Sequence, residues 1–487
     1  MFAADIAAVW LVACLGLALA GGVVAAGALP ELGRFAPALG FPLALAALGL
    51  VGLWVGHVSL FLGLVAGLLV LAGALAVAVA RTEWRGRLRR GWPALAVFLA
   101  AFCFVLGLRL LDPAVDPASG EKFLDFGLLR AHVRASALPV EDIWFAGEPV
   151  SYYYGGHHAY ALVARLTGTP ARYAYNLGLA TSYAALVTAA YGVAGAIGRR
   201  ENAGGLAAVA AAFLVGLASN LTTSVRLLLW ALPDAVPGAI VALVPRAEGW
   251  VALHPLDFHY WRPSRVVPEV ITEFPLFAYL NGDLHAHMLA APFTLLAVAC
   301  LYAALRARPG HRRRLLFLGA LPAAAGFVAA TNAWSLPVLA GLSWLTVYFA
   351  PSASSAFLPA GLPDSIAAQS RRGEPAPARL AGATLLAVVV TALSVAYSLP
   401  VWLVSEGAGR GLGLLPTRSP LWSLALVHGL FLAVFGPYLW RRLPLSGRRQ
   451  RAGAAGLALA VLAATAVQAA GVVLFAALVA AAWTVLE

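Results

Sequence analysis

Residues 121–158 read EKFLDFGLLRAHVRASALPVEDIWFAGEPVSYYYGGHH, a polar, aromatic and acidic stretch in a chain dominated by Ala, Leu, Val and Gly. Three successive tyrosines, Tyr152 to Tyr154, run into two glycines and two histidines, and Lys122 is the only lysine of the chain. We interpret the hydrophobic remainder as a scaffold that holds this stretch and one partner segment, residues 254–287.

The composition identifies a membrane protein. Hydrophobic residues make up 62% of the chain and charged residues 11%, whereas about 25% of the residues in a soluble domain are charged. Many apolar runs reach the roughly 20 residues that a helix needs to cross a bilayer, and they lack the alternation of a membrane β-barrel. We therefore predict an all-α, polytopic integral membrane protein with about thirteen transmembrane helices.

The predicted spans are 5–29, 40–57, 59–80, 91–111, 173–198, 203–220, 288–307, 314–331, 334–350, 380–403, 421–440, 452–468 and 471–486. Arginines cluster in short loops such as 81–90, 306–314 and 441–451, which the positive-inside rule places in the cytoplasm. This orientation requires that residues 156–168, too few for a full span, form an interfacial or re-entrant helix. The net charge of +12 therefore reflects topology and does not indicate a nucleic-acid partner.

Acidic residues concentrate in two loops predicted to face outward, 112–172 and 221–287. Seven acids lie between Asp112 and Glu148, and five lie between Glu248 and Asp283, so these two segments of the loops hold twelve of the 21 acids. Folding needs no such clustering, so the pattern predicts a functional site at the outer membrane surface.

In the first loop, Glu121 and Asp125 are four residues apart, which places both carboxylates on one face if the segment is helical. Two close carboxylates can bind a divalent cation, or one can act as a general base with its pKa raised by the other. Taken alone, the pair is better explained by a solvated acidic helix start in which Glu121 pairs with Lys122.

The tyrosines cannot all lie on one face of a helix or strand. One or two of them fit the aromatic belt of a membrane–water interface, and three before Gly-Gly-His-His indicate a packed turn that positions His157. His158 is expected to point elsewhere.

The second loop contains Asp283, His285 and His287 directly before a predicted span. In a helix Asp283 and His287 share a face while His285 points away, whereas in an extended turn all three line one side. Asp with His suits a borderline divalent metal. The alternative is that Asp283 only caps the helix, which explains neither histidine. Arg262 and Arg265 lie on the outward side against the positive-inside trend, and Arg suits bidentate phosphate recognition.

Several motifs of the chain resemble those of the YYY family, a group of uncharacterised multi-pass membrane proteins. The similarity covers about residues 90–440, and the matching motifs occur in the same order. They are EKFLDF, EDIWFAG, YYYGGHH, SRVVPEVITEFPLFAYLNGDLHAH, ATNAW and GLGLLPTRSPLW. The chain departs from the family pattern at Leu124, Ile143, Gly155 and Ala286, none of which replaces an ionisable group.

The architecture of that family is similar to the GT-C glycosyltransferases. These multi-span proteins take a sugar from a polyprenyl-phosphate carrier and hold an acidic catalytic residue in a long first outer loop. The resemblance implies that Asp125 matches the loop acid. It also implies a division into N-terminal helices 1–90, a catalytic-like membrane domain 91–440 and C-terminal helices 441–487.

We therefore expect a membrane glycosyltransferase that uses a lipid-linked sugar donor at the outer face of the plasma membrane. Asp125 is the expected general base, with Glu121 beside it, and Asp283, His285 and His287 are expected to bind a divalent metal cation. The expected substrate-binding residues are Lys122, Tyr152, Tyr153, Tyr154, His157, Arg265, Glu273, Asn332 and Arg418.

Two other classes of function stay open. A transporter or flippase for a lipid-linked or anionic solute predicts ionisable residues at mid-membrane and inverted repeats, and the sequence shows neither clearly. A non-catalytic scaffold leaves the acids and histidines unexplained. In every case the surrounding partners are membrane lipids.

Overall fold

The structure is a computed structural model. It describes residues 4–81, 83–116, 120–243, 260–267, 270–352, 354–358, 375–404, 421–444, 447–465 and 470–486. Within these ranges the chain is helical, and its only β-pairing is an isolated bridge between Glu141 and Pro149.

The described residues of the first half of the chain form eleven α-helices. They are α1 (Ala4–Ala28), α2 (Gly40–Val55), α3 (Leu60–Arg81), α4 (Trp84–Arg90), α5 (Trp92–Leu111), α6 (Lys122–Arg134), α7 (Gly155–Thr167), α8 (Ala171–Gly198), α9 (Gly204–Gly216), α10 (Leu221–Trp230) and α11 (Ala235–Leu243). A 3-10 segment, Pro30–Leu39, leads directly into α2.

The described helices of the second half continue the numbering. They are α12 (Pro275–Asn281), α13 (Ala286–Arg306), α14 (His311–Leu315), α15 (Leu321–Thr331), α16 (Leu336–Tyr348), α17 (Ala376–Trp402), α18 (Leu421–Arg442), α19 (Gly447–Thr465) and α20 (Ala470–Leu486). A π-helical turn, Leu316–Ala320, joins α14 to α15.

Nine helical segments in the described part of the chain are long and apolar enough to cross a membrane. The number is ten if α9 and α10 together form one broken span. This supports a polytopic all-α membrane protein but not a count of thirteen. The difference arises at α16 and α20, which are short apolar helices, and at α19, whose first turns carry the basic sequence GRRQR.

The chain divides into two compact units, the first formed by Met1–Leu217 with Tyr279–Ala408 and the second by Ala218–Ala278 with Gly409–Glu487. This division follows packing, whereas the boundaries at residues 90 and 440 follow motifs, so those boundaries stay a prediction.

In the first unit, α8 is the central helix. It packs against α5, α6, α9 and α13. Within its apolar stretch of 18 residues, 89% of the residues are buried.

The short helix α7 lies inside the first unit. Its thirteen residues span about 20 Å at 1.5 Å per residue, less than the ~30 Å hydrocarbon core. This length agrees with a segment that does not cross the membrane. All residues from Gly155 to Ala164 are buried, and α7 packs against α2, α6 and α15. The sequence GGHH at its start is therefore held deep in protein.

Glycines allow close approach of the N-terminal helices. A Cβ atom added at Gly21 of α1 would lie 2.0 Å from the carbonyl oxygen of Gly40 at the start of α2. Between apolar helices in lipid, such backbone contact supplies packing that larger side chains prevent.

We expect Gly21→Ala to lower the stability of the protein by about 1–3 kcal/mol, because the added methyl group forces α1 and α2 apart. Gly16→Ala on the same helix is the matched control, since no atom lies within 4 Å of its added Cβ. Thermal unfolding of both variants in detergent measures the difference. Equal unfolding midpoints would show that the α1–α2 contact is not tight.

Candidate functional site

Asp125 lies at the start of α6, which begins at Lys122 with Glu121 as its N-terminal cap residue. The helical turn brings Glu121 and Asp125 to the same face, as their spacing predicts. Their environments differ, because the side chain of Asp125 is fully buried and that of Glu121 is 58% exposed. The two carboxylates can therefore have different roles.

His157, on the first turn of α7, joins three segments of the chain. Its Nε2 atom lies 3.1 Å from Asp125 Oδ1 and 3.1 Å from the carbonyl oxygen of Leu284. An Nε2–H proton shared between these two acceptors links α6, α7 and the loop before α13. Nε2 is then the protonated ring nitrogen.

His285 binds the same carboxylate from the other side. Its Nδ1 atom lies 3.4 Å from Asp125 Oδ2 and 3.3 Å from Glu121 Oε2. These contacts are ion pairs rather than aligned hydrogen bonds, since neither Asp125 Oδ2 nor His285 Nδ1 has a hydrogen-bond partner. The two motifs that the sequence placed in separate outer loops thus converge on Asp125.

The histidines control the charge of Asp125. Burial alone would raise the pKa of Asp125, but the interactions with His157 and His285 outweigh burial and hold that pKa well below its usual range. Burial likewise opposes the charged form of His285, yet the contact with Asp125 raises the pKa of His285 above its usual value. Asp125 is therefore an anion, and a cation that binds His285 must displace a proton.

Two glycines with positive φ bring the loops together. Gly282 has φ +74°, and its α-carbon packs against the guanidinium of Arg109, so that a Cβ there would lie 2.6 Å from Nη1. Gly120 has φ +69°, and a Cβ there would lie 3.1 Å from Asp283 Oδ2. L side chains adopt this region only with strain, so glycine permits both the turns and the close contact.

Tyr175 of α8 holds the backbone on both sides of Asp283. Its hydroxyl donates to the carbonyl oxygen of Gly282 at 3.2 Å and accepts from the N–H of Leu284 at 3.2 Å. Because the Leu284 carbonyl accepts from His157, Tyr175 also helps to place His157. Neither Tyr175 nor Arg109 was predicted from the sequence. The sequence does contain an indication of Arg109, which is a single charge at the end of an apolar run. It contains no such indication of Tyr175.

Three residues form a group that could hold a metal ion. Asp125, Asp283 and His285 each offer a ligand atom, and these atoms lie within 4.8 Å of one another. Carboxylate oxygens and an imidazole nitrogen suit a borderline or hard divalent cation. The buried Oδ2 of Asp125 and Nδ1 of His285, which have no hydrogen-bond partner, fit such a ligand role.

This group differs from the predicted set of Asp283, His285 and His287. His287 lies on the first turn of α13, and its ring centroid is 4.9 Å from that of His285. His287 therefore lies beside the group, and the third member of the group is Asp125. The alternative that Asp283 caps the helix is wrong, because the cap residue of α13 is His285 and no side chain makes a capping bond there.

The tyrosines separate into two environments. Tyr154 is fully buried, with its ring 4.8 Å from that of His132, so it belongs to the protein core. Tyr152 and Tyr153 are half-buried and pack together with ring centroids 4.2 Å apart. Burial raises the pKa of Tyr152, and the interaction with Tyr153 and the negative charges of Asp125 and Glu121 add to this shift.

Lys122 lies close to the site, whereas His158 points elsewhere, as expected. His158 points to α2, where a Cβ at Gly52 would lie 2.6 Å from its Nε2. Lys122 is 4% exposed. Burial and the positive charge of Arg109 lower the pKa of Lys122, while Asp283 opposes this shift, so Lys122 lies within electrostatic range of the acid group.

The remaining predicted residues are not members of this group. In the second unit, Arg265 Nη1 lies 3.7 Å from Glu273 Oε1, so these two residues pair with each other. Asn332 ends α15 and donates from its side-chain amide to Ser335 at 3.1 Å. Arg418 lies outside the described residues.

The fold and the buried acid–histidine group define the class of the protein, a polytopic α-helical membrane protein with a polar site at the end of its helices. Over residues 47–487 the chain matches the family described as uncharacterized membrane protein (DUF2298), and it belongs to that family. No curated protein and no solved structure matches the chain significantly.

We expect Tyr175→Phe to weaken the binding of Mn²⁺ by about 10–100-fold, as is typical when a residue that orients a metal ligand is lost. Tyr183→Phe is the matched control. Tyr183 lies on the same helix, is 2% exposed, and donates to the carbonyl oxygen of Gly216 at 2.8 Å. Both variants lose a buried hydroxyl, so equal changes in Mn²⁺ affinity, measured by electron paramagnetic resonance, would contradict the role of Tyr175.

Proposed function

We propose that this protein is a membrane glycosyltransferase that transfers a sugar from a polyprenyl-phosphate-linked donor. The observation that carries the proposal is the convergence of Asp125, Asp283 and His285 on one small volume. A transferase needs its cation and its proton acceptor side by side, and the exposed Glu121 lies 3.3 Å from His285. The motifs resemble those of the YYY family, and the similarity of that family's architecture to the GT-C enzymes supports the choice of reaction.

In this proposal Asp125, Asp283 and His285 hold a divalent cation. The cation would neutralise charge on the phosphate oxygens of the donor as the sugar leaves. His157 keeps Asp125 ionised and oriented through its 3.1 Å contact. His287, next to His285, would complete the wall of the site.

The proton acceptor in this proposal is Glu121 rather than Asp125. A carboxylate whose pKa is held far below its usual range is a weak base, and Asp125 is also closed to solvent. Glu121 is exposed enough to meet an acceptor hydroxyl. The acceptor oxygen bonds to the anomeric carbon, the bond from that carbon to the phosphate oxygen breaks, and the hydroxyl proton passes to Glu121.

Donor binding would use residues beside the acid group. Lys122 offers positive charge next to the acid group, and the packed rings of Tyr152 and Tyr153 offer an apolar face for a sugar. Arg265, Glu273, Asn332 and Arg418 stay candidates for donor contacts from the motif resemblance. The site would face the non-cytoplasmic side of the plasma membrane, where the loop charges place residues 112–172.

We expect Glu121→Gln to slow sugar transfer by about 10²–10⁴-fold, the usual contribution of a general base, while Mn²⁺ binding persists. Asp125→Asn should abolish both transfer and Mn²⁺ binding, because it removes a ligand. The assay uses the full chain in liposomes with a labelled polyprenyl-phosphate sugar and scores transfer and lipid translocation separately.

Glu148→Gln is the control, since it neutralises an exposed acid of the same loop and should leave transfer unchanged. Translocation of the labelled lipid without any transfer by the wild type would refute the enzyme and favour a flippase. Undiminished transfer by Glu121→Gln would remove Glu121 from the role of base.

A further inference from the structure

The segment around α4 carries a concentration of positive charge that the proposed transfer reaction does not use. Residues 81–90 contain five arginines and a single acid, Glu83. The segment joins α3 to α5, and both of these helices are long and apolar enough to cross a membrane, so α4 lies at a membrane boundary. The positive-inside rule accounts for arginines at such a boundary, but it does not account for the cavity that lies beside them.

Helix α4 has a polar face and an apolar face. Arg85 and Arg89 are exposed and four residues apart, so they share one face, whereas Trp84 and Leu88 are half-buried and share another. The helix packs against α1 and the 3-10 segment Pro30–Leu39. An amphipathic helix with arginines on its polar face is typical of a segment that lies at the surface of a membrane.

A cavity of about 140 Å³ lies directly beside α4. Leu88 of α4 lines it, as do Gly91, which follows α4, and Phe98 of α5. Leu19 and Trp92 also line the cavity and are 43% and 66% exposed, so the cavity reaches the surface of the helices. Apolar cavities of similar size bind groups as large as benzene. Part of a lipid molecule can therefore enter this one.

The positive charge and the cavity are adjacent. Arg89 and Arg90 are exposed, and in the chain they lie between Leu88 and Gly91, both of which line the cavity. The Cα atom of each arginine is thus about 3.8 Å from the Cα atom of a lining residue. A ligand that enters the cavity at this end places its outer part beside two guanidinium groups.

The cavity wall also carries a hydroxyl group that lacks a hydrogen bond. Thr188 of α8 lines the cavity and is 4% exposed. Its Oγ1 atom is buried and has no hydrogen-bond partner among the described residues. A threonine hydroxyl can donate to an oxygen atom, and a buried polar atom without a partner is costly. The cavity therefore favours an occupant that brings an acceptor oxygen as well as apolar groups.

We propose that α4 and this cavity bind one anionic phospholipid. The phosphate group contacts Arg89 and Arg90, since arginine binds phosphate through two parallel hydrogen bonds. An ester oxygen of the lipid accepts from Thr188, and the first part of an acyl chain fills the apolar remainder of the cavity. The proposal does not require sugar transfer and stands apart from it.

The test is isothermal titration calorimetry on the full-length protein in dodecyl maltoside, a detergent without phosphate. One arm titrates dioctanoyl phosphatidylglycerol, and the other titrates dioctanoyl phosphatidylcholine, which has the same chains and no net charge. The wild type should bind the anionic lipid about tenfold or more tightly than the neutral one. The double variant Arg89→Gln/Arg90→Gln should lose this preference, because it removes two charges that attract an anionic headgroup.

Ala94→Leu tests the cavity separately from the charge. Ala94 lines the cavity and is 5% exposed, so the larger side chain occupies space that the lipid needs and should weaken the binding of phosphatidylglycerol by about tenfold. The matched control for charge is Arg306→Gln/Arg308→Gln. It also removes two exposed arginines, but neither residue lies in α4 or lines the cavity, so this variant should bind both lipids as the wild type does.

A preference for phosphatidylglycerol that disappears in the α4 variant, together with weaker binding by Ala94→Leu, supports the site. Equal affinity for the two lipids, no binding of either lipid, unchanged binding by Ala94→Leu, or an equal loss in the control would each overturn it. If Ala94→Leu does not fold, the near-isosteric Thr188→Val takes its place and should weaken binding of phosphatidylglycerol several-fold. Unchanged binding by Thr188→Val would then overturn the proposal.

Discussion

The buried carboxylate of Asp125 is the constraint on which the site depends. A carboxylate that is removed from water must receive hydrogen bonds or opposite charge, or it loses its ionisation. Here His157 and His285 supply both from opposite sides, and His157 in turn bonds the backbone at Leu284. One charge therefore fixes the mutual positions of α6, α7 and the loop before α13. Replacing either histidine leaves a buried anion with a single partner.

Composition and loop charge were sufficient to predict a polytopic helical membrane protein, because apolar runs of bilayer length have few alternative structures. The number of spans was not predictable in the same way. Hydropathy does not reveal that the apolar run after Gly204 breaks near Gly216, or that the run after Asn332 becomes a short 3-10 turn followed by a helix of thirteen residues. Local polar residues and helix packing decide these breaks.

The sequence also indicated most of the acids and histidines of the site. It could not indicate which of them meet, because that depends on contacts between residues more than a hundred positions apart. Asp125, rather than His287, joins Asp283 and His285 in the group that could hold a metal ion, because His285 precedes α13 in an extended conformation whereas His287 has already entered the helix. The contribution of Tyr175 was invisible for the same reason, since an apolar span offers no sign of a hydroxyl that bonds a distant loop.

The shared hydrogen bond of His157 has a consequence for the evolution of the family. Asp125, His157 and the loop around Leu284 form a closed set of contacts, so a change in one member alters the environment of the other two. Gly120 and Gly282 add a steric condition, since each faces a side chain of another segment at close range. Substitutions in the EKFLDF, YYYGGHH and NGDLHAH motifs should therefore be inherited jointly, and homologous chains should vary at these motifs as a unit.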